Sequence, residues 1–466
     1  MDVIQGFVDA VNGVVWGWPM LILLLGTHIF LTFRLKFIQG ATFKGIKLTM
    51  TKDGEASGDI SQWGALATAL AATLGTGNIV GVATAVVRGG PGAVLWLWFT
   101  GAFGIATKYG EAILAIKYRV KTSDGTMLGG PMYACDRGLN MKWLGVLFSI
   151  FTAIACFGIG NMVQVNSITS IIDDVFGIPR VGTGVVLTVV TILVIVGGIK
   201  SIARVAEMVI PFMAILFVLG NLYVLLVVNT AYIGQAFSLI LSSAFTTQAV
   251  GGALSGYAVM QAARFGIARG LFSNEAGLGS APIAAAAATT RNPVRQGLVS
   301  MSQVFWDTIC LVAITGMVYV SSILRIEPQF LNEEGILIRG TQFATTAFGA
   351  LPGGIGPGFV AVCIMMFAWT TIIGWGYYGE RACEYLGGKK AVKPFKIVYS
   401  IAVFLGSIMA VDLVFDIADM FNAFMAIPNL ISLLALSGLL AKITKEYLWD
   451  KNIDGIDPDP IMEIKN

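Results

Sequence analysis

Charge is scarce in this 466-residue sequence, in which only 12% of the residues are Asp, Glu, Lys or Arg. Soluble globular domains usually carry about 25%, so a soluble fold of this length could not solvate its surface. The hydrophobic residues amount to 56%, and the mean hydropathy is +0.79. Together these values indicate a polytopic membrane protein with small loops.

Cysteine and histidine are also scarce. The five cysteines include no C-x-x-C pair and the single histidine is His28, so neither a disulfide framework nor a zinc cluster is indicated. The sequence lacks the phosphate-binding loop G-x-x-x-x-G-K-[ST], the H-E-x-x-H motif and the TVGYG filter. These absences argue against an ATP-driven pump, a zinc protease and a potassium channel, and we expect a protein that is not an enzyme.

Long apolar segments are abundant instead. A membrane-spanning helix needs about 20 apolar residues. By this measure we predict an all-α fold with about eleven spans, which are 14–33, 62–88, 93–116, 143–171, 183–199, 204–228, 236–268, 296–324, 357–379, 395–415 and 417–442. Lys and Arg concentrate in alternate linkers, which predicts a multi-pass protein of the cell membrane with its N-terminus outside and its C-terminus cytoplasmic. The bilayer is the expected partner, and nothing indicates nucleic-acid binding or an obligatory protein partner.

A run of small and polar residues interrupts the second span. Residues 71–78 read Ala-Ala-Thr-Leu-Gly-Thr-Gly-Asn. Two glycines with polar neighbours favour a helix break at mid-membrane, and such a break survives only where it faces protein or a hydrated cavity. Its freed N–H and C=O groups could bind a small zwitterion or a cation. Close packing of small residues against another helix is the alternative explanation.

A corresponding break is predicted in the second half. Span seven contains the glycine run 251–256, and glycine-interrupted segments at matching positions of two halves indicate a transport site. The run 273–280 is the alternative. It would place Arg264 and Arg269 in the outer half of a membrane helix, at a few kcal/mol each. We therefore predict the break at 251–256 and a cytoplasmic connector at 270–290.

The predicted organisation follows from these two breaks. One extra N-terminal helix precedes a five-plus-five inverted repeat with two broken helices. The predicted segments are an extra helix and linker (1–61), the first repeat (62–228), most of the second repeat (229–415), and a last helix with a cytoplasmic tail (416–466).

Several polar side chains in the spans could contact a substrate or an ion. Gln164 in span four is a candidate for binding a charged group of the substrate, because a buried amide needs a partner. Thr370 and Thr371 in span nine offer hydroxyl oxygens, which are hard ligands suited to sodium. We expect Trp369 and Trp375 to form walls of the cavity.

Few ionisable residues lie within the spans. Asp307 in span eight is the deepest carboxylate, and intramembrane ionisable groups are functional candidates by default. It could pair with an arginine or act as an ion-linked switch. Glu111 is predicted to be interfacial, near the cytoplasmic end of its span.

Two motifs resemble those of a known family. Residues 89–104 read GGPGAVLWLWFTGAFG, which resembles the signature of the alanine or glycine:cation symporter family. Leu95 and Leu97 depart from the usual Phe and Met of that signature. The run 272–282 is similar to a second hallmark of the family, and the length and span layout fit along the whole chain.

The resemblance implies the inverted-repeat fold of the leucine transporter. Gly75-Thr76-Gly77-Asn78 is similar to the G-x-G-N break of its first core helix. By that similarity, the break binds the substrate carboxylate through positions Thr73, Gly75, Thr76 and Gly77. The implied sodium ligands are Ala71, Leu74, Phe367, Thr370 and Thr371. Asn78 resembles the asparagine of a second sodium site in some members, and Asp307 is the other candidate for a second ion or switch.

The resulting hypothesis is a secondary transporter that carries alanine or glycine with Na⁺ by alternating access. The substrate ammonium would bind carbonyls of the span-seven break, at Gly251 and Gly252. Two alternatives are a proton-coupled or exchange carrier for another amino acid on the same fold, and an ion channel.

Overall fold

The structure is a computed structural model. It describes residues 2–51, 53, 56–245, 255–332, 337–338 and 340–464. Gly251 and Gly252, the glycines of the predicted second break, lie outside the described residues.

Helices account for most of the described chain. The first half contains α1 (Asp2–Val15), α2 (Trp18–Arg34), α3 (Thr42–Thr49), α4 (Gln62–Thr73), α5 (Val80–Gly89), α6 (Ala93–Lys117), α7 (Pro131–Tyr133), α8 (Lys142–Phe157), α9 (Val163–Phe176), α10 (Arg180–Val196) and α11 (Gly198–Tyr223). The second half contains α12 (Ile233–Phe245), α13 (Ser255–Asn274), α14 (Pro282–Ala285), α15 (Pro293–Val304), α16 (Ala313–Ile326), α17 (Gly340–Phe348), α18 (Gly356–Gly387), α19 (Val392–Ile408), α20 (Asp412–Ala435) and α21 (Ser437–Thr444). This composition confirms the all-α class.

Seven of the described helical segments are long and apolar enough to cross a bilayer. They are Ile4–Arg34, Lys142–Phe176, Gly198–Val228, Pro293–Phe330, Gly356–Gly387, Lys389–Ile408 and Leu413–Ala435. Shorter apolar helices accompany them, including α5 and α10. A multi-pass membrane protein follows from this composition, while the count of eleven spans stays a prediction.

Local sequence explains where several helices begin. The hydroxyl of Ser61 accepts a hydrogen bond from the N–H of Gly64 (2.8 Å) and caps α4. The side chain of Asn292 accepts one from the N–H of Arg295 (2.9 Å), and Pro293 follows at the first helical position of α15. Such caps satisfy N–H groups that have no partner within the helix.

The first predicted break is confirmed. Helix α4 ends at Thr73, a short 3₁₀ turn covers Thr76–Asn78, and α5 begins at Val80. Neither α4 nor α5 is long enough to cross a membrane alone. The break is packed inside the protein, because α4 contacts α11 and α18 while α5 contacts α13.

A helix break lies at the alternative run, 273–280, while most of the predicted break at 251–256 lies outside the described residues. Helix α13 runs through the end of the predicted span and stops only at Asn274; a non-helical segment, 275–281, then leads into α14. Glu275, Gly277 and Gly279 all have positive φ angles, which end a right-handed helix. Every residue from 273 to 288 is buried. This segment is therefore packed inside the protein, and its predicted cytoplasmic location stays a prediction.

The two arginines whose insertion cost weighed against a break at 273–280 face a cavity. Arg264 and Arg269 of α13 line a cavity of about 620 Å³, together with Asp416 and Asp419 of α20. The insertion cost that favoured the other register applies to arginine in lipid, whereas these guanidinium groups face a polar cavity.

A small sheet joins the C-terminal tail to the linker after α6. Strands β1 (Val120–Thr122) and β2 (Met127–Leu128) form an antiparallel hairpin, and β3 (Met462–Ile464) pairs in parallel with β1. The order β2-β1-β3 places the tail strand at the sheet edge. The tail is thereby attached to the end of α6.

Candidate functional site

The first break is held by its own Asn78 side chain and by side chains from two helices, α9 and α18. Its Gly75 N–H donates to the Asn78 side chain (3.1 Å), and the Thr76 N–H lies 3.4 Å from the Gln164 amide oxygen. A Cβ at Gly75 would lie 2.5 Å from the hydroxyl of Thr371, so only glycine permits this close approach. The structure therefore brings Gln164 of α9 and Thr371 of α18 to the break, as the sequence predicted.

Thr73 has a different orientation. Its hydroxyl donates to the Ala69 carbonyl (3.0 Å) within its own helix, a common arrangement for threonine in helices. The Thr73 side chain thus reinforces the last turn of α4. A role of Thr73 in substrate binding would therefore involve its backbone atoms.

Oxygen atoms of the first break and α18 form one cluster. The Thr371 hydroxyl lies 3.4 Å from the carbonyl oxygen of Leu74 and 3.0 Å from that of Phe367. The Thr370 hydroxyl lies 2.9 Å from the same Phe367 oxygen. Both threonines are almost fully buried. Close uncharged oxygens from an unwound backbone and two hydroxyls suit a hard monovalent cation.

A second polar cluster surrounds Asp307. Its carboxylate accepts hydrogen bonds from Asn78 (2.6 Å), from Ser273 (3.0 Å to each oxygen) and from Thr308 (2.7 Å). Asp307 is fully buried, in a π-helical stretch between α15 and α16. The structure thus places the predicted pair Asn78 and Asp307 in contact. It adds Ser273, at the end of α13, which links the cluster to the second break.

The second break is held by Glu111 of α6. One oxygen of this carboxylate accepts from the N–H groups of Gly277 (2.9 Å) and Gly279 (3.1 Å) and from the Asn429 amide (2.7 Å). The side chain of Glu111 is fully buried inside the protein, and its depth in the membrane stays a prediction. The signal that could have revealed this burial was the nearby Lys108, since two opposite charges three apart share a helix face.

Glu275 provides another buried carboxylate at the second break. Its oxygens accept from the Trp375 indole N–H (2.9 Å) and the Ser280 hydroxyl (2.5 Å). Trp375 lies one turn beyond Thr371 on α18 and packs directly against Gly160, where a Cβ would lie 2.3 Å from it. Glu275 therefore connects the second break to the helix that carries the threonine cluster.

Trp369 is placed differently from Trp375. Its indole N–H donates to the Thr191 hydroxyl (3.2 Å) on α10. The side chain is thus directed at α10, whereas Trp375 meets the second break. Of the two tryptophans expected at the cavity, the contacts favour Trp375.

The cavity of about 620 Å³ reaches the first break, where Thr76 and Gly77 form part of its wall. Phe272 also lines it, and its ring lies 3.3 Å from where a Cβ of Gly77 would be. The cavity therefore extends from the arginines of α13 to the first break. Among the described residues, no cluster of three or more His, Cys, Asp or Glu side chains has the arrangement of a metal site, so a cation there would depend on carbonyl and hydroxyl oxygens.

Comparison with known proteins gives consistent matches along the chain. A family model described as the sodium:alanine symporter family matches residues 1–459. The sodium/alanine symporter AgcS of Methanococcus maripaludis is 49% identical over 456 residues, covering 96% of this chain and 98% of that protein. An uncharacterized transporter of Haemophilus influenzae is 46% identical, covering 99% and 100%.

More distant matches extend the comparison. A probable sodium/glutamine symporter, GlnT of Bacillus subtilis, is 35% identical and covers 98% of this chain and 93% of its own. Among solved structures, a crystal structure of MhsT in complex with L-phenylalanine superposes with a TM-score of 0.59. It is 14% identical and covers 85% of this chain and 95% of that chain. This last likeness concerns the fold alone.

Proposed function

The chain belongs to the sodium:alanine symporter family, and we propose that it carries alanine or glycine together with Na⁺ by alternating access. It is a sodium-coupled amino-acid symporter with the leucine-transporter fold. The family and its relatives are transporters, which points away from an enzyme.

The observation that carries the proposal is the oxygen cluster between the first break and α18. The hydroxyl of Thr371 lies within 3.4 Å of the carbonyl oxygens of both Leu74 and Phe367. Na⁺ would bind there, with Thr370 and the Ala71 carbonyl as further ligands. Because the ligands belong to two different helices, a bound ion would stabilise the arrangement in which α4 and α18 are close.

The substrate would bind beside this ion. Its carboxylate would accept a hydrogen bond from the N–H group of Gly77, and one from the N–H group of Thr76 in place of the Gln164 amide oxygen that now accepts it. The N–H of Gly75 is bonded to Asn78 and does not bind the substrate in this proposal. Gly75 matters because it has no side chain. This arrangement places a negative charge at freed N–H groups, as anions are bound at helix ends.

The ammonium group of the substrate would bind at the second break. Gly251 and Gly252, which the sequence favoured, lie outside the described residues. Glu275 replaces them in the proposal, because it is a buried carboxylate on that break and contacts Trp375. Trp375 would restrict the space for the substrate side chain. A buried indole one turn from Thr371 leaves room for a small side chain and favours alanine and glycine.

Asn78, Ser273 and Asp307 form the proposed second ion site. Their oxygens suit a second Na⁺, and the Asp307 carboxylate could instead carry a proton. This is the observation that supports proton coupling as a second candidate mechanism. Either ion would link the first break to the second through Ser273.

The arrangement of the repeats and termini completes the proposal. The first repeat would occupy 62–228 and the second 229–415, after an extra helix and linker at 1–61 and before a last helix and tail at 416–466. The N-terminus would be outside and the C-terminus cytoplasmic. The cavity lined by α13 and α20 would then open to the outside.

Coupling requires that ion and substrate favour the same conformation. Na⁺ binding would stabilise the conformation open to the outside and complete the substrate site. At −100 mV, one positive charge moving inward contributes about 2.3 kcal/mol toward accumulation. Uptake would then be driven by both the sodium gradient and the membrane potential.

Calorimetry of alanine binding to the purified protein, with Na⁺ or with choline, tests the proposal. We expect binding of alanine and glycine only in Na⁺, and weak competition by leucine because of Trp375. Equal alanine binding in choline at several pH values would contradict sodium coupling and favour an exchanger or proton-coupled carrier. In proteoliposomes, uptake should be saturable and electrogenic, and non-saturable flux would indicate a channel.

A further inference from the structure

Lys108 of α6 is a buried cation that the proposed transport site does not use. Its side chain is 1% exposed, although lysine is almost never fully buried without a partner. Its ammonium nitrogen lies 3.7 Å from one oxygen of Glu111. Neither of these two atoms has a hydrogen-bond partner among the described residues. The pair is therefore held by charge alone.

The surroundings of Lys108 are strongly acidic. Besides Glu111, the carboxylates of Glu275 and Asp307 exert an attractive Coulombic effect on its ammonium group. These three side chains are the buried acidic groups of the two breaks and their connection. His28 lies on the same side of α6, with its Nδ1 2.7 Å from the Thr107 hydroxyl.

Each of the three buried carboxylates, when ionised, needs a nearby positive charge, because an unpaired buried charge is costly. In the proposed transport cycle, an ion at the second site would balance Asp307, and the substrate ammonium would balance Glu275. Lys108 is the cation available for Glu111. The pairing of Lys108 with Glu111 is permanent. The pairings of Asp307 and Glu275 depend on an ion and a substrate that bind and dissociate.

We propose that Lys108 is a built-in cation which occupies the place of an additional Na⁺ beside Glu111, and so limits the number of ions coupled to each substrate. The proposal rests on the proposed sodium-coupled function. Glu111 holds the second break by accepting hydrogen bonds from the N–H groups of Gly277 and Gly279. A tethered ammonium group keeps that carboxylate neutralised in every step, without needing a free ion.

Counting bound ions tests this proposal. Equilibrium dialysis with ²²Na⁺ at saturating alanine gives the number of Na⁺ ions per purified protein. We expect Lys108→Met to bind one more Na⁺ than the wild type, because the freed Glu111 oxygen and the vacated space accept an ion. Lys108→Arg keeps the fixed charge and should bind the wild-type number. Lys108→Met combined with Glu111→Gln should also return to the wild-type number.

An unchanged count in folded Lys108→Met would overturn the proposal, as would an extra ion in the double variant. If Lys108→Met unfolds in choline, Na⁺ should restore its monodisperse elution on size-exclusion chromatography. Failure of Na⁺ to do so would also overturn the proposal, because the vacated space would then not accept the ion. If the wild type binds no Na⁺, the proposed function is contradicted. The test of Lys108 is separate, because it depends only on whether Lys108→Met binds one ion more than the wild type.

Discussion

Thr371 is the side chain on which the proposed sodium site depends most. Its hydroxyl lies near carbonyl oxygens of both the first break and α18. We expect Thr371→Ala to raise the Na⁺ concentration for half-maximal alanine binding about tenfold, which corresponds to about 1.4 kcal/mol. Calorimetric titration of alanine at a series of Na⁺ concentrations measures this shift.

Two controls separate a lost ligand from a damaged helix. Thr371→Ser keeps the hydroxyl and should retain near wild-type sodium dependence. Thr315→Ala removes another fully buried threonine, whose hydroxyl bonds to the Leu311 carbonyl (2.8 Å) of the preceding turn. An equal loss of sodium affinity in Thr315→Ala would show that the effect is structural and not specific to the site.

Single residues differ in how far the sequence could reveal their role. The importance of Thr371 and Gln164 was predictable, because polar side chains are rare in an apolar span and each needs a partner. Lys108 and Glu275 were harder to predict, because the sequence offered only the spacing of Lys108 from Glu111 and nothing local to Glu275 that indicates burial. Their positions depend on the path of the second break, which brings distant segments against α6 and α18.

The second break depends on glycine at two positions with left-handed backbone. Gly279 has φ +86°, and a Cβ there would lie 2.7–2.9 Å from Pro131, Phe148 and Asn429. We expect Gly279→Ala to weaken alanine binding at least tenfold and to lower the thermal stability. Both effects follow from displacement of the segment that Glu111 and Asn429 hold, in addition to about 1–2 kcal/mol of backbone strain.

Gly125 offers a matched control for this variant. It has the same φ of +86°, but a Cβ at this hairpin position would have no atom within 4 Å. Gly125→Ala therefore introduces the backbone strain without the collision. Calorimetry and thermal unfolding in detergent compare the two variants, and equal losses of alanine binding would exclude a specific role of the second break.

The elements show why one break was easier to predict than the other. The first break consists of two glycines in an otherwise apolar span, so its effect is local. The second was assigned by the cost of burying Arg264 and Arg269 in lipid. That cost depends on what surrounds the helix, and α20 supplies Asp416 and Asp419 along a shared cavity. Only the tertiary structure reveals that these arginines face polar groups and not lipid.

At the scale of the whole molecule, the C-terminal tail connects segments that are far apart in sequence. The Asp454 side chain pairs with Arg295 at the start of α15 (2.6 Å), and Asp457 and Asp459 pair with Lys117 at the end of α6 (3.2 and 2.5 Å). Strand β3 then adds to β1. The tail thus connects the end of α6 with the start of α15. No hydropathy pattern predicts this contact, because it joins polar segments.

The charged part of this contact should depend on salt and acidity. Lys117 holds the pKa of the Asp459 carboxyl below its ordinary value of 3.8. The pairing therefore favours the docked tail above about pH 4 and is lost as the pH falls below that value. Exposed ion pairs contribute little, about 0–1 kcal/mol each, and salt screens them further. Most of the stabilisation must then come from the strand pairing and the backbone hydrogen bonds.

Removing the tail tests whether the strand pairing stabilises the protein more than the ion pairs do. We expect deletion of residues 453–466 to lower the melting temperature in detergent by several degrees, because β1 loses its partner and Asn292 loses the carbonyls of Ile453 and Gly455 (both 2.8 Å). The matched variant, Asp454→Asn with Asp457→Asn and Asp459→Asn, removes the charges that pair with Arg295 and Lys117 and keeps the strand, so its loss should be smaller. Adding 1 M NaCl should reduce the difference between this variant and the wild type. It should leave the effect of the deletion largely unchanged. If the charge variant were as unstable as the deletion, the ion pairs and not the strand would hold the tail.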